Sequence, residues 1–213
     1  MAAEYDRRRF GTPLKRWKQR RDERLVWELL FEGLGRAGIS AQGASLLDMP
    51  CGTGRLMPAY AQAGLRVLGV DVSLPMMAEK PWDAAPPGIL GLVQGSALGL
   101  PLGAGCVDAS LCMRFLFHLD DRAERILALR EMARVTRGPL VLQVRYRFTG
   151  KHAGRWLRRR VGLGGRAYRP SQGRSELRAE LAEAGLVLER LVPISKLFSD
   201  KALLLARPAP SSG

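Results

Sequence analysis

A chain of 213 residues, 46% hydrophobic and 25% charged, has the composition of a globular protein with enough length for one full core. Lysine and arginine outnumber aspartate and glutamate 34 to 20, and the resulting net charge of +14 favours polyanions, anionic membrane or acidic substrates. Three cysteines (Cys51, Cys106 and Cys112) without CxxC spacing argue against a disulfide framework, and no cluster of His, Asp or Glu supports a metal.

Met1 to Arg9 carry charge with no apolar stretch behind them, so a secretory signal is not expected. No uncharged apolar run is long enough to span a bilayer, and the expected compartment is the cytoplasm. Tyr5, Phe10 and Trp17 are interleaved with basic residues. The apolar positions Leu14, Trp17, Leu25, Val26, Leu29 and Leu30 then predict an amphipathic helix from about Pro13 to Leu34, stopped by Gly33 and Gly35. Residues 1–40 read as a basic helical cap that either packs on a sheet or covers a pocket. Residues 41–207 read as the main domain and 208–213 as a disordered tail.

From residue 44 onward, strand and helix patterns alternate. Ala44–Met49 is a strand, Thr53 to about Ala63 a helix, and Leu65–Asp71 a second strand. A short helix follows, with Ser73 as its expected N-cap. Gly88–Val93, Val107–Met113 and Leu140–Tyr146 read as further strands, with a helix over Asp120–Thr136. Ser171–Ala184 is a last helix with Ser171 as the expected cap, and Leu186–Ile194 with Lys201–Ala206 forms an antiparallel hairpin. Alternation of this kind implies βα units and a mainly parallel sheet, on which ligands bind outside the carboxyl ends of the strands.

The stretch Asp48-Met49-Pro50-Cys51-Gly52-Thr53-Gly54-Arg55 stands at one such end. Glycines there allow a sharp turn and a close approach of backbone to ligand. A helix starting near Thr53 would aim its free N–H groups at the same place. The dinucleotide fingerprint G-x-G-x-x-G fails, because its third glycine position is Met57.

The glycine stretch is followed in order by Val70-Asp71-Val72-Ser73, by Gly95-Ser96-Ala97 running to Pro101, and by Val107-Asp108 running to Cys112-Met113-Arg114. Together these segments resemble the ordered motifs of class I S-adenosylmethionine-dependent methyltransferases, of the type 11 kind, over about residues 42–146. The resemblance implies a Rossmann-like α/β fold: a seven-stranded, mainly parallel sheet with an antiparallel last strand and helices on both faces. It implies S-adenosylmethionine as the cofactor. The backbone around Asp48, Pro50, Cys51, Gly52 and Gly54 would approach the methionine part, and Asp71 would take the ribose hydroxyls. Val72 and Met76 or Met77 would flank the adenine, and Gly95, Ser96 and Ala97 would border its edge. Cys112, Met113 and Arg114 would line the floor near the sulfonium. Two positions depart from the family's commonest pattern: Pro50 stands where a glycine is usual, and Ser96 where an aspartate often accepts from the adenine amino group.

On the acceptor side, His118 is the candidate general base, with a structural hydrogen bond as its alternative role. Arg114 either steers an anionic acceptor or pairs with an acid. Between Glu131 and Glu176 there is no acidic residue, while arginines accumulate around Trp156, Leu157 and Arg158. This segment, an insertion over about 147–170, could lie on an anionic membrane, grip phosphates while stacking a base, or be only a solvated basic flap. Tyr5, Phe10, Trp156 and Arg158 are the acceptor-side candidates. The expected acceptor is a small molecule or lipid, with peripheral membrane contact. RNA methylation and a non-catalytic domain that binds S-adenosylmethionine or docks nucleic acid are the alternatives. The sequence is silent on oligomeric state.

Overall fold

The computed structural model describes residues 13–79, 86–147, 171–195 and 199–210. The expected segments 1–12 and 148–170, with Tyr5, Phe10, Trp156 and Arg158, lie outside these residues.

One seven-stranded sheet is built from β1 (Ser45–Asp48), β2 (Arg66–Asp71), β3 (Ile89–Gln94), β4 (Ala109–Cys112), β5 (Leu140–Arg145), β6 (Leu186–Pro193) and β7 (Lys201–Pro208). Its spatial order is β3-β2-β1-β4-β5-β7-β6, with β1 to β5 parallel and β7 antiparallel to both neighbours. This is the expected Rossmann-like methyltransferase topology. Because strand side chains alternate between faces, adjacent residues serve two different cores. Leu46, Val141, Leu203 and Leu205 face one layer, packed with Val26, Leu29, Leu30 and Leu34 of α1 (Pro13–Arg36) and with Met57 and Tyr60 of α2 (Met57–Gln62). Leu47, Leu142 and Leu204 face the other, packed with Ile126, Leu129 and Met132 of α4 (Arg122–Val135) and with Leu177 and Leu181 of α5 (Arg174–Glu183). Between β2 and β3 lies the single turn α3 (Leu74–Met77).

Four local expectations are corrected. Helix α1 continues through Gly33 and Gly35 to Arg36. A Cβ at position 33 would lie 2.5 Å from Pro139 Cβ and 2.8 Å from Leu205 Cδ1, so Gly33 is a packing residue that lets the helix sit down on the sheet. Helix α2 starts at Met57, not near Thr53. Pro58 has no N–H to give, and its ring would collide with the carbonyl four residues back, at Gly54, so a helix cannot run unbroken from Thr53. The turn therefore presents no long helix N-terminus. Ser171 is buried and does not cap α5; the Glu176 carboxylate accepts from the Gly173 N–H at 2.7 Å instead. Last, Arg207 and Pro208 belong to β7, and Ala209 donates to the Gly185 carbonyl at 2.8 Å. Ser73 stands at the N-cap position of α3, but its side chain makes no capping bond.

Candidate active site

Parallel strands β1, β2 and β4 all end on the same side of the sheet. The strand order reverses direction between β1 and β4, where chains leaving in opposite directions open a crevice. A cavity of about 260 Å³ occupies that crevice. Its floor is Asp48, Pro50, Cys51 and Gly52 after β1, Asp71 at the end of β2, and Met76 from α3. Met113, Arg114 and His118 form the wall that follows β4.

The turn after β1 is held by its neighbours. Gly52 has φ 57°, a left-handed conformation that suits glycine. Its N–H donates to Asp71 Oδ2 at 2.7 Å, while the Ser73 N–H donates to Asp71 Oδ1 at 2.9 Å. The Cys51 N–H donates to the Val70 carbonyl at 3.0 Å. Asp71 thus fixes both the glycine turn and the entry to α3, and each of its oxygens keeps a second lone pair for a ligand.

Asp48 is in a different position. It is only 5% exposed, and among the described residues no hydrogen-bond donor reaches its carboxylate. Burial, with the nearby Asp71 charge adding to it and Arg55 opposing it, pushes its carboxyl up to about 7. Two acids lining one cavity give its floor a local excess of negative charge, which suits a positively charged ligand. Burial, reinforced by the Asp48 and Asp71 charges, also pushes the Cys51 thiol up to about 12, which leaves it an inert wall.

The other expected residues are placed less directly. Gly54 is buried beneath the turn, and Cys112 is fully buried behind Met113; neither lines the cavity. Val72 is 69% exposed beyond the rim. Gly95, Ser96 and Ala97 form the loop after β3, outside the cavity lining. The Gly95 N–H donates to the Asp71 carbonyl at 3.0 Å, which ties that loop to the site, and Ser96 Oγ accepts from the Leu98 N–H at 3.2 Å.

Asp22, Glu23 and Val26 of α1, with Thr53, Arg55 and Leu56 of the glycine stretch, complete the lining, and the three α1 residues are ones that sequence reasoning does not assign to the site. Helix α1 both packs on the sheet and roofs the cavity. Both terminal nitrogens of Arg55 lie 3.2 Å from Glu23 Oε1, joining the helix to the glycine turn. Arg21 donates to the Ile194 carbonyl beyond β6. The one available signal was the acid pair Asp22-Glu23 inside an otherwise cationic run.

On the opposite wall, Arg114 is the only non-glycine residue with left-handed backbone among the described residues, at φ 62°. Strained backbone of this kind tends to be kept where a side chain must be aimed. His118 is exposed and packs on Phe117, with ring centroids 4.8 Å apart. The charged ends of Arg145 and Lys201 lie 5.2 Å and 4.8 Å from the centre of the Phe117 ring. No group of acidic, histidine or cysteine side chains suited to a metal occurs among the described residues. Nor is any described helix long and apolar enough to cross a membrane.

Residues 47–139 match the family model of the methyltransferase domain, Methyltransf_11. No curated protein matches the chain by sequence. Among solved structures, the chain is similar to magnesium protoporphyrin IX methyltransferase from Synechocystis with bound S-adenosylhomocysteine. That match has a TM-score of 0.72 and 21% identity over 93% of this chain and 88% of the other. An S-adenosylmethionine-dependent methyltransferase from Clostridium acetobutylicum gives 0.67 and 13% over 98% and 97%. The CcbJ methyltransferase from Streptomyces caelestis gives 0.62 and 20% over 83% and 93%. At these identities the likeness is one of fold. The chain thus carries a methyltransferase domain match over residues 47–139 within the Rossmann-like methyltransferase fold.

Proposed function

We propose that the chain transfers a methyl group from S-adenosylmethionine to a small-molecule acceptor, and that the cavity roofed by α1 is where the two meet. The observation that carries this reading is the pairing of Asp48 and Asp71 at adjacent strand ends in one buried cavity. The donor is a cationic sulfonium with an ammonium group, and a buried carboxylate without a hydrogen-bond donor suits such a ligand. When bound, the donor supplies an electrophilic methyl on a positively charged sulfur.

The chain's own residues hold, orient and enclose. Asp48 faces the cationic methionine part, and the Gly52 turn lets the backbone approach it. Asp71 accepts from the ribose hydroxyls with the lone pairs left over from Gly52 and Ser73. Met76 and Val72 flank the adenine, and the Gly95–Ala97 loop borders its edge. Met113 and Arg114 bound the acceptor end. Helix α1 closes the top and limits water, so the acceptor is held close and aligned, which is the main demand of an in-line displacement. The cationic side chains on the acceptor wall, and the arginine-rich segment 145–174, support an acidic or membrane-associated acceptor.

Calorimetry with S-adenosylhomocysteine tests the donor site: the expected result is one site per chain, and no binding would overturn the reading. Transfer of labelled methyl into a cell extract divided into small molecules, lipid, RNA and protein tests the acceptor. Label in the small-molecule or lipid fraction is expected; label only in RNA or protein would replace this acceptor class.

A further inference from the structure

Three consecutive residues of α1 meet the site in three different ways. Arg21 is anchored to the Ile194 carbonyl beyond β6, and Glu23 is anchored through Arg55 to the glycine turn. Asp22, between them, lines the cavity together with Met113, Arg114 and His118, and the Arg114 charge acts on it. A helix fastened on both sides of one residue holds that side chain in place over the acceptor end. The groups around it are Arg21 and Glu23 on its own helix, Arg114 and His118 after β4, and Lys201 at the start of β7, with Asp48, Asp71 and Arg55 on the floor.

We infer that Asp22, not His118, takes the proton from the acceptor, and that the acceptor is a hydroxyl-bearing small molecule methylated on oxygen. The inference rests on the proposed methyl donor. As the acceptor oxygen bonds to the methyl carbon, the carbon–sulfur bond breaks and its electron pair stays on sulfur, leaving a neutral thioether. The hydroxyl proton passes to the Asp22 carboxylate, so charge and atoms balance. Arg114, which lines the same cavity, supplies positive charge that stabilises the negative charge developing on a hydroxyl oxygen as its proton leaves. Partial burial raises the Asp22 carboxyl from its ordinary value despite Arg114, Lys201 and Arg21 pulling it down, which makes it a better proton acceptor than a solvated aspartate.

The test compares wild type with Asp22→Asn, Asp22→Glu and His118→Gln. Sinefungin carries an amine where the donor carries its methyl, so it probes the charge facing that position without any acceptor. We expect Asp22→Asn to bind S-adenosylhomocysteine within about threefold of wild type but to lose about tenfold or more of its preference for sinefungin. Asp22→Glu should retain most of that preference. Labelled transfer into the small-molecule fraction should fall about a hundredfold or more in Asp22→Asn, with the acid limb of its pH profile lost, and only modestly in His118→Gln. Mass spectrometry should place the label on oxygen. An unchanged sinefungin preference in Asp22→Asn, an N-methylated product, or loss of transfer in His118→Gln alone would overturn the inference while leaving the donor site standing. Wild-type protein that binds no S-adenosylhomocysteine would overturn the donor reading itself.

Discussion

Asp71 Oδ2 accepts from the backbone N–H of Gly52 at 2.7 Å, so the end of β2 holds the turn that follows β1. The same carboxylate accepts from Ser73 with its other oxygen. One side chain therefore shapes the cavity and, in the proposed function, also serves its ligand. Asp71→Ala should leave two backbone donors without their acceptor, costing about 1–3 kcal/mol of stability in a thermal melt. It should also weaken S-adenosylhomocysteine by about a hundredfold in calorimetry, the worth of two hydrogen bonds to a charged group.

Asp48 sets a pH dependence whose sign follows from its raised carboxyl. Its ordinary value is 3.8, and burial beside Asp71 moves it to about 7. Between those values the folded state keeps a proton that the unfolded chain releases, so stability declines as pH rises through this window. The full cost, on the order of 4 kcal/mol, is reached above about pH 7. Asp48→Asn should remove it, raising the melting temperature at pH 8 by up to about 10 °C and changing it little at pH 4. S-Adenosylmethionine should bind wild type more tightly at pH 8 than at pH 6, and that gain should vanish in Asp48→Asn.

Gly33 controls how closely α1 sits on the sheet. A methyl there meets the Pro139 ring carbon at 2.5 Å and Leu205 at 2.8 Å, with no room between helix and sheet to yield. Gly33→Ala should destabilise the fold by about 1–3 kcal/mol through overpacking. It should also lift the roof of the cavity, so S-adenosylhomocysteine affinity falls along with the melting temperature. A melt that falls without loss of affinity would show the roof to be independent of this contact.

Glu23 and Arg55 are each about a quarter exposed, at 27% and 29%, so their pair contributes below about 1 kcal/mol to stability. Its effect should be kinetic. Glu23→Gln should leave the melt nearly unchanged while S-adenosylhomocysteine leaves about threefold to tenfold faster in stopped-flow measurements, because the helix is no longer tied to the turn.

The architecture was readable because the apolar patterns at Leu46-Leu47, Val67 to Val70, Ala109 to Leu111 and Leu140 to Val144 each end at a polar or glycine-rich break. The motifs then fell in order on the carboxyl ends of those strands. Contacts made across long sequence distances were not readable. Glu23 meets Arg55 across 32 residues and Arg21 meets Ile194 across 173, and no periodicity encodes either pairing. The start of α2 was misplaced for a local reason: glycines 52 and 54 drew attention to the turn, while Pro58 decided where the helix could begin. At α5 a carboxylate three residues inside the helix did the capping expected of Ser171.

The bond from Arg21 to the Ile194 carbonyl has a consequence for biosynthesis. The helix that roofs the cavity is made early, yet its anchor beyond β6 lies near the far end of the chain. β7, the strand that pairs with both β5 and β6, comes later still. Closing so long a loop is slow and comes late in folding. While the chain is still on the ribosome, the floor of Asp48, Gly52 and Asp71 can assemble from β1, β2 and β4. Enclosure of the site waits for β7 to emerge, so a nascent chain truncated before Lys201 carries the cofactor motifs without an enclosed site.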